Sequence, residues 1–140
     1  MKNISTVVFF TYNFPSRNDK RITQFIEKGY KVIVYSFVEK SQPQNYSIIR
    51  LGNYPRRMSY FKRLYHYSID IKREVRKFDK QTTFFYFFTL NTAVAVLFTN
   101  GIKYVYEESD MLFDRLKAGI GKSLFKNLNL KIIRNSYVTV

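Results

Sequence analysis

The amino-acid sequence predicts an α/β protein built on a doubly wound, mostly parallel sheet flanked by helices. Three observations carry that prediction. Short runs rich in Val, Ile, Phe and Tyr alternate along the chain with amphipathic stretches of about ten residues or more, the pattern of parallel βαβ units. The runs are continuously apolar rather than alternating, as strands covered on both faces require. Polar loops containing Pro, Asn or Gly punctuate the transitions, and no internal repeat or low-complexity segment interrupts them.

Taken in order, Ile4–Thr11 ("ISTVVFFT") reads as a first buried strand and "YNFPSRN" as a loop. Asn18 is expected to cap the following helix, with Asp19 in its first turn. "DKRITQFIEK" places Ile22, Phe25 and Ile26 on one face, and Gly29 closes the helix. Lys31–Phe37 is the second strand, "EKSQPQN" a polar loop and Tyr46–Leu51 a short third strand. After Pro55 a long helix is expected. Its apolar stripe is Met58, Phe61, Leu64/Tyr65, Ser68, Ile71, Val75 and Phe78. Arg56, Arg57, Lys62, Arg63, Lys72, Arg73, Arg76 and Lys77 form its other face, interleaved with Tyr60 and Tyr67. "TTFFYFF" is a fourth strand, "LNTAVAVLFTNG" a helix ended by Gly101, and "IKYVYE" a fifth strand. Leu116 to Arg134 is helical in pattern, with Gly119 and Gly121 near its start, and "SYVTV" begins a sixth strand. Residues 1–140 form one domain by length. Ending on a buried strand, the chain is expected to be the first domain of something longer, truncated before a second.

Composition narrows the function classes. Hydrophobic residues make up 46%, enough for a packed core rather than a disordered chain. No Cys is present, which excludes disulfides and fits a reducing cytoplasm, and with a single His it excludes His/Cys metal sites. No apolar run reaches the roughly 18 residues of a membrane-spanning helix, and the N-terminus lacks the small-residue cleavage site of a secretory signal. The net charge of +14 points to an anionic partner or to a Lys-rich coding bias. No helix-turn-helix, zinc finger or RNP-like motif accompanies it, so nucleic acid is not expected as a partner.

In a doubly wound sheet, ligands bind beyond the carboxyl ends of the strands. Three loops there stand out: "TYNFPSRNDKR", "TLNT" and "EESD". The first strand is not followed by G-x-G-x-x-G, and Gly121-Lys122-Ser123 lacks the earlier glycine of a P-loop, since position 116 is Leu. The end of the first strand also lacks the acids of a phosphoacceptor site. His66 falls mid-helix near the basic face, where a solvated role is expected. Glu107, Glu108 and Asp110, with Asp114 after them, gather four of the ten acids into one stretch. They read either as a strand terminus that caps the next helix or as a carboxylate Mg²⁺ site. The basic face of the long helix reads as solvated or as a contact with an anionic membrane surface.

"SRNDKRITQFIEKGYKVIVYSF" resembles the first helix and second strand of family 4 glycosyltransferases, which have the GT-B fold; Asp19, Arg21, Gly29, Tyr30 and Val32 match that pattern. "KYVYEESDMLF" resembles the family's exit from its fifth strand at Tyr106, Glu107 and Asp110, with Ser109 where a His is frequent, and "NLKIIRNSYVTV" resembles the segment that closes its N-terminal domain. The resemblance runs along the whole chain in order. It implies a Rossmann-like, acceptor-side N-terminal half of a GT-B enzyme that binds no cofactor itself. A C-terminal domain, which carries Glu-x7-Glu in the family, would bind the nucleotide-sugar donor. The implied activity is sugar transfer to a lipid-linked saccharide in cell-surface polysaccharide or capsule synthesis, in the cytoplasm and peripherally at the inner face of the plasma membrane. In that reading Asn13, Arg17 and Asp19 lie near the donor phosphates, and Thr89 and Asn91 at the acceptor side. Glu107, Glu108 and Asp110 meet acceptor hydroxyls or orient their loop, and Arg21 pairs with Asp19 or Glu107. The alternative is a non-catalytic Rossmann-like module that docks a partner chain or anionic surface.

Overall fold

The computed structural model describes residues 3–12, 16–38, 45–55, 57–107, 120–135 and 138–139. In chain order the elements are β1 (Thr6–Thr11), α1 (Ser16–Glu27), β2 (Lys31–Ser36), β3 (Ile48–Arg50) and α2 (Tyr60–Val75). There follow β4 (Thr83–Phe88), α3 (Leu90–Ala93), a 3₁₀ segment (Val94–Phe98), β5 (Lys103–Glu107), α4 (Ile120–Asn135) and β6 (Val138–Thr139). The strands form one six-stranded sheet in the order β3-β2-β1-β4-β5-β6, and every neighbouring pair is parallel. This is the Rossmann-like α/β architecture that the sequence predicts.

Local chemistry explains the element boundaries. Gly29 has φ +89°, and the Gly29 and Tyr30 amides donate to the carbonyls of Ile26 and Phe25, a glycine-terminated helix end. The expected N-cap at Asn18 is corrected: α1 starts earlier, at Ser16, and Asn18 lies buried inside its first turn. The expected long helix after β4 is also corrected. Only four residues are α-helical before the chain tightens to 3₁₀ through Val94 and Val96, whose β-branched side chains disfavour the α form. Ser59 caps α2, its Oγ accepting from the Lys62 amide. The buried face of α2 is Leu64, Tyr67, Ser68, Ile71 and Val75, while Phe61 and Tyr65, expected on that stripe, are exposed.

Strand order dictates how the helices are shared between the two faces. Running from β1 to β2 and from β3 to β4, the chain moves in opposite directions across the sheet. With right-handed crossovers α1 must cover one face and α2 the other. Accordingly, Ile22, Phe25 and Ile26 of α1 pack on Val7, Phe9, Val34, Tyr86 and Phe88. Leu64, Tyr67, Ile71 and Val75 of α2, with Leu90, Ala93 and Ile132, pack on Val8, Phe10, Tyr35, Phe85 and Phe87. Aromatic rings tie the central strands together. On the α2 face Tyr35, Phe10 and Phe87 stack across β2, β1 and β4 at centroid separations of 5.2 and 5.3 Å. Tyr104 of β5 meets Phe87 edge-on at 6.0 Å. Phe9 does the same on the α1 face, against Tyr86 at 5.1 Å, Phe88 at 5.7 Å and Phe25 at 5.6 Å.

Two measurements test this core. Phe10→Ala is expected to cost about 4 kcal/mol in urea unfolding, because it opens a cavity between two stacked rings; a loss below about 1 kcal/mol would show that the ladder does not hold the sheet. Burial pushes the Tyr35 and Tyr104 hydroxyls up to about 12, with Glu74 adding to the effect at Tyr35. Their folded pKa is raised, so this contribution to stability is full below the ordinary tyrosine value of about 10 and is lost as pH rises toward 12. The melting temperature is therefore expected to fall across that interval, and to fall less steeply in Tyr104→Phe.

Candidate functional site

The carboxyl ends of β1, β4 and β5 lie side by side, and order reverses between β1 and β4: α1 leaves one strand on one face, α3 the other strand on the opposite face. In doubly wound sheets the crevice for ligands opens at such a reversal. Thr11 ends β1 with its side chain on the α1 face, and its Oγ1 accepts a 3.1 Å bond from Asn18 Nδ2, which pins the start of α1 to the strand exit. Tyr12, one residue on, turns to the α2 face. Of the residues expected here, Asn13 lies outside the described residues, and Arg17 is described by its backbone alone, in the first turn of α1.

Glu107 closes β5 on the α1 face, and its side chain is only 3% exposed. Its Oε2 accepts from Arg21 Nε at 3.2 Å and from the Tyr86 hydroxyl. The Arg21–Glu107 pairing is one the sequence predicts. The Glu107 hydrogen bond raises the guanidinium pKa, against the opposing effect of burial. Burial and then Glu107 likewise push the Tyr86 hydroxyl well above the usual tyrosine range. A buried carboxylate needs such partners. Of the two roles expected of Glu107, contact with acceptor hydroxyls or orientation of its loop, these bonds fit the second: its carboxylate ties α1 and β4 to β5. Asp19, expected near donor phosphates, is likewise engaged by a protein partner. Its Oδ1 accepts a 2.5 Å bond from Tyr46 Oη, which joins α1 to the start of β3, and a carboxylate there would repel phosphate. Glu108 and Asp110, like Asp114, lie outside the described residues. Among the described residues no cluster of three His, Cys, Asp or Glu forms a metal-binding group.

The other wall of the crevice comes from β4, α3 and α2. The Thr89 amide donates 3.0 Å to the Glu107 carbonyl, fixing the turn that follows β4 to the end of β5. Thr89 has φ +72° and ψ +157°, backbone that is essentially reserved for glycine, and holding a β-branched residue there costs on the order of 1–3 kcal/mol. Its Oγ1 is buried and has no hydrogen-bond partner among the described residues. Two residues on, Asn91 Oδ1 accepts from the Tyr60 hydroxyl. The Arg63 guanidinium lies 5.7 Å from the centroid of the Tyr60 ring, and its buried Nε likewise has no hydrogen-bond partner among the described residues. Tyr67 stacks at a tilt on Tyr12, 5.8 Å between centroids, and its hydroxyl is pushed up to about 12 by burial first and Tyr12 second, with Arg63 opposing. Thr89 and Asn91 thus sit together in the turn that follows β4. Tyr60, Arg63 and Tyr67, expected on the basic outer face of α2, instead turn inward to them.

Beside this wall lies a cleft of about 300 Å³ lined by Tyr12, Phe37, Arg50, Asn53, Tyr54 and Tyr67. Tyr54 donates 2.6 Å to Asp70 and stacks on His66 at 4.8 Å, so the expectation of a solvated His66 is corrected to a half-buried ring packed on tyrosine. A Cβ at Gly52 would lie 2.7 Å from Tyr54 Oη and 2.8 Å from Asp70 Oδ2, so a larger residue there would displace this hydrogen-bonded pair. The spacing Tyr60, Arg63, Tyr67 places all three near Leu64 and Ile71 on the helix and was the available signal for this wall. Aromatic faces, hydroxyls, an amide and a guanidinium together can hold a polyhydroxylated or phosphorylated small molecule.

The fold defines the chain as a Rossmann-like α/β domain whose topological switch point lies between β1 and β4. Compared with known proteins, it matches no family model, no curated protein and no solved structure.

Two substitutions test the two walls. Thr89→Gly is expected to leave stability unchanged or raise it by about 1 kcal/mol, since released strain outweighs glycine's entropic cost; a loss above about 1 kcal/mol would deny the strain. Glu107→Gln is expected to cost about 2 kcal/mol by removing a charged hydrogen-bond acceptor, and Glu107→Gln in a Tyr86→Phe background should cost less because the two share one carboxylate oxygen.

Proposed function

We propose that this chain is the acceptor-side domain of a nucleotide-sugar-dependent glycosyltransferase of the GT-B type, acting on a phosphate-linked saccharide. One observation carries the reading. The loops expected to form the site leave β1, β4 and β5 at a single edge, where Thr89, Asn91, Tyr60 and Arg63 surround the switch point. Tyrosine faces and hydroxyls suit a sugar ring, and a guanidinium suits its phosphate. Glycosyl transfer also needs a water-excluding second wall and groups to receive the departing diphosphate. A single Rossmann-like layer supplies one wall, so the nucleotide-sugar is held mainly by the other domain of the complete enzyme.

A second reading, a non-catalytic docking module, is favoured by the α1 face. Beside α1, the one helix on that face among the described residues, lies an apolar groove of about 200 Å³ lined by Ile4, Val7, Phe25, Phe84, Tyr86 and Val105. Size-exclusion chromatography with and without a complementing domain separates the readings, since a docking module should be a stable monomer alone.

Calorimetric titration tests the proposal. Saccharide phosphates are expected to bind this chain, with affinity falling roughly tenfold or more in Arg63→Gln through loss of a charge-assisted contact, while nucleotide-sugars bind weakly and are not turned over. Absence of saccharide-phosphate binding would contradict the reading, and robust sugar transfer by the chain alone would contradict its assignment to the acceptor side.

A further inference from the structure

The outer face of α2 carries an apolar stripe that the core does not use. Phe61, Tyr65 and Ile69 follow one another at intervals of four residues and are 56%, 64% and 42% exposed. At about 100° per residue they share an arc of roughly 120° with Lys62, Lys72, Arg73 and Arg76. The acids of the helix, Asp70 and Glu74, are buried on the far side, where Tyr54 donates to Asp70 and Lys77 pairs with Glu74. Arg73 is drawn toward those acids, at 3.2 Å from Asp70. Lys62, Lys72 and Arg76 form no ion pair with the described residues. A solvated helix face would place charge, not three large apolar side chains, at its centre.

We propose that this face is a docking surface for an anionic phospholipid bilayer. Phe61, Tyr65 and Ile69 enter the boundary between headgroups and acyl chains, and Lys62, Lys72 and Arg76 rest on the phosphates around them. Large apolar residues ringed by cations, with acids withdrawn to the opposite side, match an interfacial helix lying in the membrane plane. A duplex-DNA backbone would engage the cations and leave the central apolar stripe unused. No helix among the described residues is long and apolar enough to cross a membrane, so the contact is one of lying on the surface. Glycosyl transfer is not needed for this inference, and either can fail without the other.

Vesicle flotation of the purified chain decides it. Binding is expected to vesicles containing phosphatidylglycerol and not to pure phosphatidylcholine, and to weaken as salt is raised. F61S/Y65S/I69S is expected to lose roughly tenfold or more of the partitioning through loss of its apolar insertion, and K62E/K72E/R76E to lose the preference for anionic lipid. Both variants should melt like the parent, because the altered side chains are outside the core; if the triple serine variant unfolds, Tyr65→Ser alone carries the test. No binding to anionic vesicles, equal binding to neutral ones, or full binding by the serine variant would overturn the proposal. So would tight binding of duplex DNA that the serine variant retains.

Discussion

Everything described here depends on the aromatic ladder that joins β2, β1, β4 and β5. Tyr35, Phe10, Phe87 and Tyr104 lie ring against ring across four strands, and on the reverse face Phe9 packs against Tyr86 and Phe88 between β1 and β4. In a parallel sheet a slip of one residue would exchange the two faces of a strand. Strands that are apolar on both faces lack the usual penalty against such a slip. Ring size and stacking geometry supply it, because each large side chain has a fitted neighbour across the strand. The unusual Tyr and Phe content has this structural use, and the fixed register is what brings three strand exits to one edge.

That edge divides the labour between its two faces. On the α1 face a buried carboxylate, Glu107, draws in Arg21 and Tyr86 and locks helix to sheet. On the α2 face two buried polar atoms, Thr89 Oγ1 and Arg63 Nε, have no hydrogen-bond partner among the described residues. Thr89 is held in a glycine-like conformation, and Arg63 presents a guanidinium between tyrosines. Strain and unmet hydrogen-bonding capacity at the mouth of a crevice are what a stability-driven sequence would remove, and they are consistent with a surface shaped for a ligand.

The fold was legible in the sequence to an unusual degree. Continuous apolar runs and glycine-terminated helices carry their own punctuation, and the predicted element order matches the structure from β1 to β6. What sequence could not separate were the two apolar arcs of α2. Leu64, Tyr67 and Ile71 point inward and Phe61, Tyr65 and Ile69 outward, but on a helix these arcs adjoin, and periodicity alone cannot choose between them. The same ambiguity hid Arg63 and Tyr60 among surface residues. The sequence singles out Asp19 and Glu107 as ligand-facing carboxylates, but whether a carboxylate meets ligand or protein depends on partners 27 and 86 residues away in the chain. Local spacing holds no record of such partners.

The central claim is that ligand binds where β1 and β4 diverge. Amide chemical-shift mapping by NMR, with nucleoside diphosphates and saccharide phosphates as probes, tests it most directly. The account predicts that the perturbed amides cluster at Tyr12, Tyr60 to Tyr67, Thr89 and Asn91. Perturbations confined to the opposite edge, around Lys31, Gln81 and Lys103, would contradict it.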